Sequence, residues 1–526
     1  MNIKKELMQI VSDAVSSIGG NYKKIIIQNT KDSNHGDFTT NIAMLVSKDL
    51  NQSPILIANH IVKIIQKNPL CNKFIENTDV AKPGFINFKI STLYLLSIIN
   101  QILEEKSEYG KKFIKNKKTA LIEFVSANPT GPLTIGHGRG AVLGDIISNI
   151  LVWNGYDIKK EYYFNDAGRQ IRKLKKSVEA RYLELLKKDF SFPEDGYQGN
   201  YIYEIANNII ELHGKHVEDD TIFENFSKEY IFKDIKYTLS QIGIDFDNYF
   251  NERTLYEDKS IKKILALLSK KKITYKKDGA IWFHSNKINR PQDKVLVKKS
   301  GEPTYRLPDI AYHGNKFDRK FDLIIDIFGS DHADTFPDVL AVLSQLNYDI
   351  NKVKVLIHQF VTLIENNTKS KMSTRKANFI TLDELNEIVG SDVLRYFFIM
   401  RGFNTHLNFD LDLAKNQSEE NPVFYIQYAY ARICNIINKS THSSNANIDL
   451  KLLKNEIEHE ILIKLYLFSD ILNQIFNTLE PQLLATYLYS LSKLFHKYYA
   501  KCRIISDDEN LSNARINMIK SIKIIL

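Results

Sequence analysis

The residues of this sequence that are best suited to bind phosphate lie in a glycine-rich stretch, residues 123–140. An apolar, strand-like run ends near Val125, a Pro/Gly loop follows, and a helical pattern begins beyond it. His137 and Thr134 could donate hydrogen bonds to phosphate, and the N–H groups of a helix N-terminus favour anions. Three glycines would let a ligand approach the backbone there: Gly136, Gly138 and Gly140. Taken alone, this pattern is equally typical of a tight strand-to-helix turn.

A second stretch, residues 369–376, is rich in cationic and hydroxyl side chains. These side chains can donate hydrogen bonds to phosphate, and a cationic loop can compensate the charge that develops on departing pyrophosphate. Without the first stretch, a solvated basic loop would be the simpler interpretation.

Together the two stretches resemble the paired signature of class I aminoacyl-tRNA synthetases, a Gly-His turn followed much later by a Lys-Met-Ser loop. Further segments narrow the resemblance to the arginyl-tRNA synthetase family, in the same order along nearly the whole chain. These segments are residues 35–38, 82–88, 126–132, 161–168, 198–201, 309–312, 392–395 and 421–428. The resemblance implies ATP-dependent activation of L-arginine and its transfer to tRNA(Arg), which forms arginyl-tRNA, AMP and diphosphate.

The resemblance also implies roles for individual residues. Catalytic roles fall on the two phosphate-binding stretches, at His137, Thr134, Lys371, Ser373, Arg375 and Lys376. ATP-binding roles fall on these stretches and on a Gly-Ser-Asp-His loop, at Pro129, Gly136, Gly138, Gly140, Gly329, Asp331, His332 and Met372. Arginine-binding roles, in which carboxylates would pair with the guanidinium, fall on Glu123, Ser126, Asn128, Glu252, Tyr305 and Asp309. Contacts to tRNA fall on Phe38, Asn87, Tyr428, Arg432 and Tyr498.

Several of these residues have a purely structural alternative. Asp309 could be a helix N-cap, Tyr305 a core aromatic residue and His332 part of an ordinary turn. The tyrosines assigned to tRNA could equally belong to a bundle core. Mg²⁺ is expected with the ATP phosphates, whereas neither a protein-bound metal nor a structural zinc is expected. The three cysteines lack the paired spacing of a zinc site: Cys71, Cys434 and Cys502.

The sequence departs from the family pattern at three positions. Thr134 stands where the family has the first histidine of its paired motif, and Thr374 stands where it has the second lysine. Ala377 occupies a position that is often glycine in the family. We expect the neighbouring cations, Arg375 and Lys376, to replace the missing lysine.

Two alternatives to a charging enzyme remain at this point. One is a relative that binds tRNA without charging it, and the other is a small-molecule ligase of the same sheet class. The chain ends at residue 526, where family members usually continue for a short apolar tail, so we expect a C-terminal bundle that is either truncated or naturally short.

The elements that must position these residues fall into three segments. Residues 1–110 mix helical and strand-like pieces and predict an N-terminal α+β domain, which by resemblance binds the tRNA elbow. Residues 111–400 predict a Rossmann-like catalytic domain with a helical insertion at about 170–290. Residues 401–526 keep apolar side chains three or four positions apart, which predicts an all-α bundle, by resemblance the anticodon-binding domain.

Within the middle segment, apolar runs of strand length alternate with helical patterns, which is typical of a parallel sheet. The runs lie at residues 120–125, 323–328 and 354–361. A lysine-rich stretch at residues 111–118 precedes the first run and is predicted to be a solvated connector.

The composition is that of a multidomain globular protein. Hydrophobic residues make up 44% and charged residues 25% of the 526 positions. The formal net charge of +9 is compatible with a partner that carries phosphates. Neither a membrane-spanning apolar run nor a secretory signal is evident, so we expect a cytoplasmic monomer that does not bind membranes.

Overall fold

The computed structural model of the chain describes residues 3–22, 24–30, 32–69, 71–369, 380–440 and 448–526. The chain forms two compact units. The first unit contains residues 1–110, 424–471 and 487–526, and the second contains residues 111–423 and 472–486.

The N-terminal part of the first unit combines helices with a small antiparallel sheet. Its elements are α1 (Ile3–Ser17), β1 (Gln28–Asn29), β2 (Phe38–Thr40), α2 (Ile42–Val46), α3 (Pro54–Gln66), α4 (Cys71–Phe74), β3 (Ile75–Ala81), β4 (Phe85–Ile90), α5 (Thr92–Leu95) and α6 (Ser97–Glu105). The four strands are ordered β1-β2-β4-β3. Helix α1 buries one face, including Leu7, Val11 and Val15, because its apolar residues recur every three or four positions.

The second unit alternates strands and helices, as the apolar runs predict. Its elements are β5 (Lys118–Glu123), α7 (Ile135–Trp153), β6 (Tyr156–Phe164), α8 (Gly168–Leu185), α9 (Asn200–His213), α10 (Thr221–Gln241), β7 (Asn248–Asn251), α11 (Arg253–Glu257), α12 (Ser260–Lys270), β8 (Thr274–Lys277), β9 (Ala280–Phe283), β10 (Lys294–Val297), α13 (Arg306–Asp318), β11 (Leu323–Gly329), α14 (Phe336–Gln345), β12 (Val353–His358), β13 (Val361–Glu365), β14 (Thr368–Lys369), α15 (Leu382–Val389), α16 (Ser391–Ile399), β15 (Leu407–Asp410) and α17 (Leu411–Lys415).

Five of these strands form the parallel sheet that positions the site, in the order β12-β11-β5-β6-β7. The Rossmann-like parallel sheet and the flanking helices are therefore confirmed. The expected helical insertion is present as α8, α9 and α10, but its predicted range also contains β7, the edge strand of the sheet. The carboxyl ends of all five strands lie at one edge, where open α/β sheets bind ligands.

Four helices complete the chain and confirm the helical C-terminal region. They are α18 (Pro422–Lys439), α19 (Glu456–Thr478), α20 (Gln482–Lys501) and α21 (Glu509–Ile525). Within the described ranges, no helix combines the length and the apolar character needed to cross a bilayer.

Candidate active site

The turn from β5 into α7 carries the first phosphate-binding stretch. Val125 and Ser126, which lie shortly after the end of β5, adopt left-handed backbone angles with φ of 67° and 48°. Helix α7 then begins beyond Thr134 with its first-turn N–H groups at the carboxyl edge of the sheet. A strained turn of this kind is maintained where the surrounding structure needs it, often at a functional site.

His137 is oriented by the residue that replaces the family's first histidine. The backbone N–H of Thr134 donates to Nδ1 of His137 at 3.1 Å, and the Thr134 hydroxyl lies 3.2 Å from the same nitrogen. Because Nδ1 accepts an N–H, the ring proton resides on Nε2 and can be donated to a ligand. Burial lowers the pKa of His137, against the opposing effect of Asp331, so the ring is neutral at pH 7.

The three glycines of this turn have different surroundings. A Cβ on Gly138 would lie 2.4 Å from Leu382 Cδ1, and one on Gly140 would lie 3.0 Å from His358 Nε2. A Cβ on Gly136 would meet no neighbouring element. Gly138 and Gly140 therefore allow close packing against the chain itself, whereas Gly136 leaves room beside the helix N-terminus.

The second phosphate-binding stretch lies outside the described residues. The residues outside the description include all those assigned to this stretch: Lys371, Met372, Ser373, Arg375 and Lys376. They also include Thr374 and Ala377, the two positions at which this stretch differs from the family pattern. The chain that follows it is described, and it lies beside the first stretch. Thr381 forms an isolated antiparallel bridge with Thr134, and the N–H of Leu382 donates to the Leu133 carbonyl at 2.8 Å.

The Gly-Ser-Asp-His loop follows β11 at the carboxyl edge of the sheet, and Gly329 is the last residue of that strand. The His332 ring stacks on Phe328 with 5.0 Å between centroids, and the His332 and Asp331 side chains are exposed. Asp331 is close enough to raise the pKa of both His137 and His358 against the larger effect of their burial. The loop and the N-terminus of α7 therefore share one region.

His358, at the end of β12, is a site residue that sequence reasoning missed. Burial is the main reason that the pKa of His358 falls to about 4. The ring nitrogen Nε2 lies against Gly140, which has no side chain to exclude it. The sequence signal available was its position directly after an apolar strand, where ligand-facing side chains are found.

Three carboxylates from different elements form an acidic pocket next to this turn. Asp309 lies in the first turn of α13, and burial raises its pKa to about 6, helped by Glu123 and Glu252. Burial also raises the pKa of Glu252, which accepts a hydrogen bond from the Tyr163 hydroxyl at 2.7 Å. Among the described residues, no hydrogen-bond or ion-pair partner contacts the Asp309 carboxylate. This arrangement fits a cationic ligand.

The other residues assigned to arginine and ATP differ in how they are placed. Asn128 bridges to the next strand, because its Oδ1 accepts the Asn165 N–H at 2.9 Å. Ser126 donates to Glu123 at 2.8 Å. Pro129 is buried, and the Tyr305 side chain is 61% exposed, so Tyr305 is not the core aromatic residue that the alternative required.

A row of buried carboxylates crosses the sheet behind the pocket. Asp326 of β11, Glu123 of β5 and Glu161 of β6 occupy paired positions on adjacent strands. Helix α13 supplies the compensating cations: Lys316 bonds Glu123 and Asp326, the latter at 2.6 Å, and Arg319 holds Glu161 at 2.6 and 2.8 Å. Sequence reasoning missed this network, although a lysine and an arginine three residues apart in a helix are a detectable signal.

The ammonium of Lys316 also occupies the position that a metal ion would need. Glu123, His313 and Asp326 offer ligand atoms within 4.8 Å of one another. Lys316 Nζ contacts all three, including His313 Nε2 at 3.4 Å. A second cation has no place there.

The residues assigned to tRNA divide into exposed and buried sets. On α18, Arg432 lies between the rings of Tyr428 and Tyr499, with 4.3 and 4.5 Å to their centroids, and both tyrosines are exposed. The side chains of the remaining three are buried instead, so they are not presented on the surface to RNA: Phe38, Asn87 and Tyr498. Tyr498 belongs to the core, as the structural alternative held.

Three models of known protein families together match most of the chain. The family model described as "tRNA synthetases class I (R), catalytic domain" matches residues 98–391. The "Arginyl tRNA synthetase N terminal domain" matches residues 1–90, and the "DALR anticodon binding domain" matches residues 426–526.

Curated relatives and a solved structure agree with these matches. An arginine–tRNA ligase of Desulfotalea psychrophila is 44% identical over 511 residues, 96% of this chain and 92% of that protein. One from Chlorobium limicola is 43% identical over 525 residues, 97% and 95% of the two chains. The fold matches that of Thermus thermophilus arginyl-tRNA synthetase with a TM-score of 0.76 at 19% identity, over 99% of this chain and 97% of that one. The chain therefore belongs to the arginyl-tRNA synthetase family, class I ligases that use ATP to activate L-arginine and transfer it to tRNA(Arg).

Proposed function

We propose that the acidic pocket binds the arginine side chain, with Asp309 and Glu252 on the guanidinium and Tyr305 at the pocket's outer side. The observation that carries this proposal is the Asp309 carboxylate, which is half-buried, has no partner among the described residues and lies beside two further carboxylates. A guanidinium would supply the missing donors in a fork geometry. Tyr163 positions Glu252 through their 2.7 Å hydrogen bond.

We assign the arginine backbone end to the strained turn after β5. Ser126 and Asn128 present polar groups there, and Glu123 lies directly beneath, fixed by Lys316. Fixing these groups holds the arginine carboxylate near the α-phosphorus of ATP, which is the positional part of catalysis.

The ATP phosphates lie, in this proposal, at the N-terminus of α7. His137 Nε2 donates to a phosphate oxygen, and the α7 N–H groups next to Gly136 add further donors. Gly329, Asp331 and His332 hold the nucleoside end, next to Pro129. Gly138 and Gly140, which the resemblance assigned to ATP, serve the site by letting α7 pack against Leu382 and His358. Lys371, Ser373, Arg375 and Lys376, with Met372, are assigned to the phosphates by the family resemblance alone.

Mg²⁺ belongs with the ATP phosphates, where it neutralises negative charge when bound. The only candidate metal cluster within the described residues is filled by the Lys316 ammonium, so the ion has no ready protein cage.

The reaction needs no protein nucleophile. The arginine carboxylate attacks the α-phosphorus in line, pyrophosphate leaves, and the terminal ribose hydroxyl of tRNA then takes the arginyl group from the adenylate. The protein contributes positioning and charge stabilisation.

We assign the tRNA elbow to residues 1–110, the chemistry to residues 111–400 and the anticodon to residues 401–526. Tyr428 and Arg432 support the last assignment, because an exposed ring with a guanidinium stacked on it can bind an unpaired base. We further propose a cytoplasmic monomer, since three unpaired cysteines suit a reducing compartment.

Substitution of Asp309 tests the arginine assignment. We expect Asp309→Ala to raise the KM for arginine by roughly 30-fold or more, since losing one partner of a charged pair costs about 2 kcal/mol or more. The KM for ATP should change less than threefold. Asp318→Ala, at the other end of α13, serves as the control. Equal losses for arginine and ATP would show that Asp309 does not bind arginine.

A further inference from the structure

The connector between the first unit and β5 carries an unusually exposed aromatic side chain. Phe113 is 80% exposed, the highest value for a large apolar side chain within the described part of the chain. It lies in the run Lys-Lys-Phe-Ile-Lys-Asn-Lys-Lys, residues 111–118. A single exposed phenylalanine needs no partner by itself, but an exposed aromatic ring in a lysine-rich run is a candidate contact for nucleic acid.

The residues on both sides of Phe113 fix its outward direction. The Lys112 ammonium donates to Asn154 Oδ1 at 2.8 Å. The Ile114 side chain packs on Gly155, where an added Cβ would lie 2.7 Å from Ile114 Cδ1. Its two neighbours are attached to the body of the second unit, and the Phe113 side chain between them extends into solvent.

Lysines flank Phe113 in the sequence. Lys115 and Lys117 are exposed, and neither ammonium lies within ion-pair distance of a carboxylate among the residues that the structure describes. Lys118 lines a cavity of about 440 Å³ at the amino ends of the parallel strands, and Lys352 and Lys354 line it too. We name Phe113, Lys115, Lys117 and Lys118 the connector platform.

The two aspartates of the cavity wall offset only part of this positive charge, and both also accept hydrogen bonds from the chain. Asp322 accepts hydrogen bonds from the Thr119 N–H at 2.8 Å and from its hydroxyl at 3.1 Å. Asp349 accepts the Asn351 N–H at 3.2 Å. The cavity wall therefore has a surplus of one cation, three lysines against two aspartates.

We propose that the connector platform binds the tRNA substrate, with one unpaired base stacked on Phe113 and its flanking phosphates on the lysines. An aromatic ring beside cations is the pattern that binds single-stranded nucleic acid. The positive charge of the platform favours RNA as the binding partner, because RNA carries negative phosphates. A second copy of this chain would bring its own net positive charge. The proposal rests on the charging of tRNA by this family and is independent of the residue assignments in the active site.

Binding of tRNA to the full-length protein tests the stacking contact. We expect Phe113→Ala to weaken tRNA binding about tenfold, and Phe113→Trp to bind as wild type does, because either ring can stack. Leu267→Ala, which removes another exposed apolar side chain, is the matched control and should have no effect. Thermal midpoints should be unchanged in all three variants, since the substituted side chains are exposed.

The salt dependence of binding tests the phosphate contacts. Replacing Lys115 and Lys117 together by glutamine should reduce the slope of log affinity against log salt by about 1.4, two single-strand phosphate contacts. Unchanged tRNA affinity of Phe113→Ala, or a tryptophan variant as weak as the alanine variant, would overturn the proposal. So would a wild-type dimer, or binding to vesicles of anionic lipid, that Phe113→Ala abolishes while tRNA affinity stays the same. Any of these results would leave the Asp309 test untouched.

Discussion

Replacing Lys316 by methionine is the sharpest test of the carboxylate row. The side chain is fully buried and is bonded to Glu123 and Asp326, which are buried as well. Methionine preserves most of the volume but removes the charge, so two carboxylates lose their common cation. Removing one partner of a buried ion pair costs about 3–5 kcal/mol. For a domain of this size each kcal/mol lowers the thermal midpoint by about 2 °C, which gives a decrease of about 6–10 °C.

The effect should depend on pH in a defined direction. Burial alone would raise the pKa of Asp326, but Lys316 and His313 overcome it and hold the pKa at about 2. In wild type the stabilisation from Asp326 is therefore present above the unfolded-state pKa and lost as pH falls through about 2. Without Lys316, burial prevails and the folded-state pKa rises above the unfolded one. The variant then loses stability as pH rises. The difference in thermal midpoint between wild type and Lys316→Met should therefore grow between pH 5 and pH 7.5.

Calorimetry at pH 5 and at pH 7.5 measures the difference in thermal midpoint between wild type and Lys316→Met. Lys298→Met is the control, because Lys298 pairs with Glu302 at 3.6 Å on the surface, where an ion pair contributes about 0–1 kcal/mol. A Lys316→Met midpoint that matches the Lys298→Met midpoint at pH 7.5 would refute the argument. So would a deficit that shrinks as the pH rises.

Three further outcomes are expected. His137→Ala should lower the rate of arginine-dependent ATP–pyrophosphate exchange by about 10²–10³-fold with little change in the KM for arginine, and a changed KM alone would contradict the phosphate role. The kcat/KM for arginine should fall as pH drops through about 6, where Asp309 takes up a proton, and Asp309→Asn should remove this dependence. Gly138→Ala should destabilise the protein by about 1–3 kcal/mol because its methyl meets Leu382, whereas Gly136→Ala should cost less than about 1 kcal/mol in denaturant unfolding.

The parallel sheet was predictable because its central strands consist mainly of apolar residues. Strand β5 and strand β11 coincide with apolar runs, since both are buried on two faces. Strand β7 was not predictable, because Asn-Tyr-Phe-Asn is short and half polar, and it becomes a strand only by pairing with β6. Tertiary pairing here outweighs local preference.

The candidate site also contains residues that the sequence could identify and residues that only the tertiary structure brings there. The family resemblance assigns roles to His137 and Asp309, and these roles stay predictions, whereas the helix N-terminus beside His137 follows from the local pattern and is observed. His358 and Lys316 carry no motif; His358 gains its place from strand β12, and Lys316 from the way α13 crosses the carboxylate row. Such contacts depend on strand order and helix orientation, which local periodicity does not encode.

If the acidic pocket binds arginine as proposed, the charges around α13 give a physical reason for the selection of arginine. Lys316 bonds Glu123 and Asp326, whereas no lysine or arginine among the described residues forms an ion pair with Asp309 or Glu252. Burial raises the pKa of both pocket carboxylates, that of Asp309 to about 6. Arginine brings a guanidinium and an α-ammonium, two positive charges with donors in the right number. A neutral analogue such as citrulline would leave the pocket carboxylates buried without a cation, a penalty that can reach about 10⁴-fold in discrimination without proofreading. Selection of arginine would then follow from a deficit of cations that the fold itself builds beside the sheet.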